Sequence, residues 1–170
     1  QGVTVANCLI SIGANVGDTT HTIATALNTL KSHSAVTILK QSRLRETKPV
    51  GGPTGQSNFV NGAVLLETTL EPIALLTLLQ SLEVEAGRTS NVRWSERPLD
   101  LDIILFENQV YDTKQLALPH KRMAFRRFVL EPAAEIVPEM RHSGTNRTVS
   151  EMLDHINTAK NYVAVTGVPG

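Results

Sequence analysis

The stretch Leu99-Asp100-Leu101-Asp102-Ile103-Ile104-Leu105-Phe106 constrains the fold of this chain more than any other. It reads as a β-strand, in which successive side chains point to opposite faces. Asp100, Asp102, Ile104 and Phe106 are therefore expected on one face, and Leu99, Leu101, Ile103 and Leu105 on the other. The two carboxylates then stand about 6 to 7 Å apart at Cα. Like charges on an otherwise apolar sheet surface are unfavourable unless something positive lies between them. A hard divalent cation is the simplest partner, and two cations about 3.5 to 4 Å apart could share the pair. On spacing alone, an ordinary strand end with both aspartates paired to Arg93 and Arg97 fits equally well.

The rest of the chain supplies the partners of this strand. Val5 to Ile12 is an aliphatic strand that is expected to stop at Gly13-Ala14-Asn15, with Asp18 or Thr19 capping the helix that follows. Ile23, Ala26, Leu27 and Leu30 are spaced to form the buried stripe of that helix, over about Thr20 to Lys31. A second strand starts at Val36 and is expected to reach Glu46. Thr47 to Gly55 holds three glycines and two prolines, which makes it a loop. Asn58 to Glu67 is a third strand. Pro72 opens a second helix, which buries Leu75, Leu78, Leu79 and Leu82 and ends at Gly87. Thr148 and Glu151 form a capping box before a late helix with Val149, Met152, Leu153 and Ile156, and a strand is expected at Tyr162 to Val165. Strand, helix, strand, strand, helix, strand is the ferredoxin-like βαββαβ order, an α+β fold, with the additional C-terminal helical region giving three α/β/α layers. With no linker or repeat in its 170 residues, the chain is expected to be one domain.

Arg88, Arg93 and Arg97 precede the aspartate strand, and Arg122, Arg126 and Arg127 follow it, so six of the ten arginines lie within forty residues. Arginines facing a dicarboxylate suit phosphoryl transfer, where cations neutralise developing charge while carboxylates hold the metal. The chain has no Gly-x-x-x-x-Gly-Lys-Ser/Thr loop, which excludes a P-loop enzyme.

Arg93 to Ile104 resembles the signature of the 6-hydroxymethyl-7,8-dihydropterin pyrophosphokinase family: a basic residue, any residue, two small or acidic ones, Arg, two residues, Asp, an aliphatic, Asp and two aliphatics. Ser95 departs from it, standing where the family usually has Gly or Ala. Gly13-Ala14-Asn15 is similar to the family's Gly-Ser-Asn turn, Thr47 to Asn61 to its pterin loop and strand, and Pro119-His120 with Arg126 and Phe128 to its nucleotide and pterin segment. The resemblance implies transfer of pyrophosphate from ATP to the hydroxymethyl group of the dihydropterin, with release of AMP, in folate biosynthesis. It implies two magnesium ions on Asp100 and Asp102, and Arg88 and Arg97 stabilising charge on the transferred group. His120, Arg126 and Arg93 would bind ATP phosphates, and Leu76, Gln80, Glu83 and Ile103 would line the nucleotide site. For the pterin it implies backbone groups of Thr47 and Val50, the amide of Asn61, stacking by Phe59 and Phe128, and closure by Trp94. Phe59 and Asn61, two apart in a strand, share a face on geometry alone. A second arginine expected two residues after Arg88 is replaced by Ser90, and a frequent tyrosine after the histidine by Lys121, so that Arg93, Lys121 or Arg127 would have to supply the missing contact. The loops Thr47 to Gln56 and Arg88 to Pro98 are expected to close over bound substrates.

The balance of 16 Lys plus Arg against 16 Asp plus Glu leaves no general field for nucleic acid or an anionic membrane. A ferredoxin-like RNA-binding module shares the sheet order, but it would present a basic surface and exposed aromatics where this chain has aliphatics and an aspartate pair. The alternative within the family is an impaired pterin- or nucleotide-binding relative. A lone Cys8 excludes an internal disulfide, and no apolar run approaches a membrane span, so a cytoplasmic monomer is expected.

Overall fold

A computed structural model describes residues 4–15, 17–48, 58–87 and 98–166, with side chains as far as 159. Val50, Arg88, Arg93, Trp94 and Arg97, and most of the two loops expected to close, lie outside the described residues. The elements run β1 (Ala6–Ala14), α1 (Thr19–Ser32), β2 (Val36–Gln41), β3 (Arg45–Thr47), β4 (Phe59–Thr68), α2 (Pro72–Glu85), β5 (Asp100–Phe106), β6 (Tyr111–Asp112) and β7 (Ala117–Leu118). A 3₁₀ turn (Met123–Phe125), α3 (Arg127–Ile136) and α4 (Val149–Thr166) complete them. The main sheet has the order β2-β4-β1-β5, with β3 also on β4, and every pairing is antiparallel. This is the ferredoxin-like arrangement, with β5 at one edge.

Local chemistry sets the helix ends as expected. The Asp18 carboxylate accepts from the His21 N–H at 3.1 Å, and Gly87 follows α2 at φ +101°, a left-handed conformation that suits a residue without Cβ. The Thr148 hydroxyl accepts from the Glu151 N–H at 3.0 Å, and the Glu151 carboxylate accepts in return from the Thr148 N–H.

The sheet separates two cores. Cys8, Ile10, Ile12, Val64, Leu66, Leu99, Leu101, Ile103 and Phe106 pack under α1 and α2. Leu9, Ala63, Leu65, Ile104 and Leu105 pack under α3 and α4 with Val129, Leu130, Ala133, Val149 and Met152. Helices on both faces give the three layers.

Four expectations are corrected. First, Gly13 and Ala14 are not a turn: β1 continues through them, Gly13 paired on both sides and Ala14 with Val60 of β4. Second, the second strand is divided. The chain leaves the ladder at Ser42–Leu44, where the Ser42 hydroxyl accepts from the Ala63 N–H, and Gly62 leaves room for it: a Cβ there would come within 2.9 Å of the Leu44 side chain. Third, the alternation of β5 breaks. Leu9 pairs with Leu105 but Ile10 with Ile103, so Ile104 is an extra residue. The bulge moves Phe106 to the side of Leu99, Leu101 and Ile103, and puts Leu105 with Ile104. Fourth, Tyr162 to Val165 continues α4 rather than forming a strand. A strand needs a partner edge, whereas a nucleated helix grows by one hydrogen bond per residue. The β6–β7 hairpin and α3 are further elements that sequence pattern did not reveal. Pro132 lies within α3, and proline usually reads as a helix break.

Candidate active site

One row of residues crosses the sheet near its end. Arg45 pairs with Asn61, Asn61 with Gly13, and Gly13 with Asp100. One row further in, Ser11 stands between Ala63 and Asp102. Asp100 and Asp102 alternate with the buried Leu101 and Ile103, which places them on the face of α3 and α4. Asn61, two residues from Ala63, shares that face, and Phe59 follows it. Strands lie about 4.8 Å apart, so the Asn61 and Asp100 backbones are separated by roughly 10 Å across β1. That width takes a flat bicyclic ring between an amide and a carboxylate.

Gly13 forms the floor of this gap. A Cβ at position 13 would sit 3.0 Å from the Asn61 Oδ1, so its absence lets the amide lie across β1. Asn61 is 7% exposed. Phe59 and Phe128 are 40% and 43% exposed, values that separate them from core aromatics such as Phe106 at 2%. Thr47 lies opposite Phe59. Phe128 opens α3, and the Arg126 guanidinium lies 5.5 Å from its ring centroid.

His120 comes to the aspartates along the outer edge of β5, where its N–H donates to the Ile104 carbonyl at 2.9 Å. Its Nδ1 accepts from the Arg122 N–H at 3.2 Å, which leaves the proton of the neutral ring on Nε2, as a donor. Burial, then the charges of Arg126 and Arg122, hold this imidazole below its ordinary pKa of 6.5, while Asp100 pulls it up. The folded state thus binds fewer protons than the unfolded chain between the lowered value and 6.5. Through that window this group makes stability fall as pH falls. Arg126→Ala should raise the His120 midpoint and Asp100→Asn should lower it, as read by imidazole NMR. An unmoved midpoint in Arg126→Ala would show that the two side chains are not neighbours in solution.

The structure does not bring every expected nucleotide residue to the aspartate face. Leu76, Gln80 and Glu83 lie on α2, and Ile103, 3% exposed, faces the core under α1 and α2. Glu83 is itself only 3% exposed, and its Oε2 accepts from the Leu101 N–H at 3.0 Å, fastening α2 to the strand that carries the aspartates. Glu83→Ala should cost about 1 to 3 kcal/mol of stability by leaving a buried donor unpartnered. Glu83→Gln, which keeps an acceptor, should recover part of the loss in a urea midpoint, and equal loss in both variants would exclude this role.

Asp100 and Asp102 are half-buried, and among the described residues no group of three His, Cys, Asp or Glu could form a metal cage. Two carboxylates on one face suit a cation that completes its shell with phosphate oxygens and water, as magnesium does.

The family model described as 7,8-dihydro-6-hydroxymethylpterin-pyrophosphokinase matches residues 9–138. The chain is 44% identical over 137 residues to 2-amino-4-hydroxy-6-hydroxymethyldihydropteridine pyrophosphokinase of Bacillus subtilis (strain 168), covering 81% of each chain. To the Pseudomonas aeruginosa protein of the same name it is 39% identical over 132 residues, 78% of this chain and 81% of that one. The crystal structure of wild-type Plasmodium falciparum HPPK-DHPS superposes with a TM-score of 0.73 at 14% identity, covering 97% of this chain and 43% of that one. The chain thus spans less than half the length of that structure.

Proposed function

Because the chain belongs to the 7,8-dihydro-6-hydroxymethylpterin-pyrophosphokinase family, we propose that the end of the sheet around Asn61, Gly13, Asp100 and Asp102 is where its reaction takes place. The protein is an ATP-dependent pyrophosphokinase of folate biosynthesis: it transfers pyrophosphate from ATP to the hydroxymethyl group of 6-hydroxymethyl-7,8-dihydropterin and releases AMP. The observation that carries the assignment of the site is the register that sets Asn61 and Asp100 on opposite sides of Gly13, on one face.

In this reading the pterin ring lies over Gly13. Its polar edge meets the Asn61 amide and the backbone of Thr47 and Val50, its faces meet Phe59 and Phe128, and Trp94 covers it. The hydroxymethyl group then points towards β5. Its oxygen attacks the β-phosphorus of ATP, the bond from that phosphorus to the oxygen bridging the α- and β-phosphates breaks, AMP leaves with the bridging oxygen, and the hydroxyl proton is lost to solvent. Two magnesium ions held by Asp100 and Asp102 would supply charge neutralisation on the triphosphate. The protein's own part is placement and fixed positive charge, which is most of what phosphoryl transfer requires. The His120 Nε2–H and Arg126 hold phosphate oxygens, with Arg93 beside them, and Arg88 and Arg97 meet the charge that develops on the transferred group. As β5 is an edge strand, the nucleotide can reach around it to Leu76 and Gln80 on the α2 side, with Glu83 and Ile103 buried behind them as the support of that surface.

We further infer one domain over residues 1–170, acting as a monomer in the cytoplasm. In support of the location, no helix among the described residues is long and apolar enough to cross a membrane. The test is AMP formation from ATP, magnesium and the reduced pterin. Formation that requires all three is the expected result; AMP released without pterin would show hydrolysis and overturn the reading.

A further inference from the structure

We propose that Ser11 is a positioning residue for Asp102, its hydroxyl holding the carboxylate in the orientation that binds magnesium. The proposal rests on the reading of Asp100 and Asp102 as the metal ligands. Ser11 and Asp102 are direct cross-strand partners of β1 and β5. Both are on the α3 and α4 face, since Ser11 is two residues from Leu9 and Asp102 two from Ile104, and both of those pack in the second core. Side chains directly opposite in an antiparallel pair have Cβ atoms about 4.5 to 5.5 Å apart. A serine hydroxyl and an aspartate carboxylate cover that gap with one hydrogen bond.

Ser11 is 7% exposed and stands level with Asp102 across the two strands. Aliphatic side chains fill the inward positions before it on the strand, so a polar group here needs a reason. A carboxylate directly across the strand pair is the strongest acceptor a serine hydroxyl could find there. When a cation takes one oxygen of Asp102, the other is left to accept from the Ser11 Oγ–H. Such a bond removes the carboxylate's rotational freedom and fixes which oxygen faces the metal. The Gly13 to Asp100 pair, one row outward, has no side chain that could do the same. Asp102 is therefore the ligand with a fixed geometry, and Asp100 the one that can adjust.

The experiment is manganese binding, with manganese as a spectroscopic substitute for magnesium, followed by electron paramagnetic resonance in the presence of a non-hydrolysable ATP analogue. Ser11→Ala should weaken binding about tenfold, at the low end of what the hydrogen-bond partner of a metal ligand contributes. The magnesium concentration needed for half-maximal rate should rise by a similar factor, while pterin affinity stays unchanged. The metal-free variant should stay folded, as read by a thermal melt, so that the loss in manganese binding is not a loss of fold. Ser11→Thr, which keeps the hydroxyl, should restore manganese binding. A folded Ser11→Ala that binds manganese within twofold of wild type would overturn the proposal. If Asp102→Ala also bound manganese normally, the metal reading itself would fail, and the two failures are thereby distinguished.

Discussion

Asp100→Ala and Asp102→Ala are each expected to slow AMP formation by about 10³-fold or more, while the protein stays folded. The loss follows from the several kcal/mol of charge stabilisation that a bound cation gives a phosphoryl transition state, at 1.4 kcal/mol for each factor of ten. The fold should survive either change, because both side chains are half-buried near the end of the sheet and neither belongs to the two apolar cores. The measurement is a coupled AMP assay beside a thermal melt. If either variant kept more than about a tenth of the wild-type rate, an effect below about 1.4 kcal/mol, the pair would not be the metal site.

Asn61→Ala should weaken pterin binding by about 5- to 150-fold with little change for ATP, the equivalent of about 1 to 3 kcal/mol for a buried polar edge left without its partner. The geometry supplies a second, independent route to the same loss. Gly13→Ala adds a Cβ 3.0 Å from the Asn61 Oδ1 and must push the amide aside. It removes no polar group, so any selective loss of pterin affinity would come from displacing Asn61. Combined, the two substitutions should weaken binding no more than Asn61→Ala alone, because once the amide is gone there is nothing left to displace. Titration calorimetry with each substrate decides it. Equal losses for ATP and pterin would indicate a general folding defect, and fully additive losses would show that Gly13 acts elsewhere.

The features legible in the sequence are those set by short-range chemistry. The Asp18 cap, the stripe Ile23, Ala26, Leu27 and Leu30, the glycine at 87 and the Thr148–Glu151 box all appear where local pattern places them, because each depends on residues within two turns. Phe59 and Asn61, proposed above for the pterin, are legible as a pair for the same reason. Ser11 was not: in sequence it is one small residue in an aliphatic strand, and only its partner across β1 and β5 gives it meaning. The role of Gly13 was misread because a glycine followed by alanine and asparagine has the composition of a turn. What places it in the strand is its pairing with Asn61 and Asp100 on either side, and the close passage of the Asn61 side chain is what a glycine there accommodates.

The strand containing the aspartates divides the two kinds of information most clearly. That Asp100 and Asp102 share a face is fixed by the chain alone, since alternation is a property of any single extended strand. The side of the sheet they occupy, and which residues stand level with them, belongs to the pairing of β5 with β1 and of β1 with β4, and the energy that selects it comes from burying Leu101 and Ile103 under α2 and Ile104 under α3. The bulge at Ile104 reverses the alternation for Leu105 and Phe106 but leaves the aspartates untouched, because they precede it. A one-residue slip leaves the sequence of each strand unchanged but turns its apolar set to the other face and changes every neighbour, so the sequence determined the chemical groups of the proposed site and their spacing along each strand, and the tertiary structure decided that Asn61, Gly13, Ser11 and the two aspartates stand in adjoining rows.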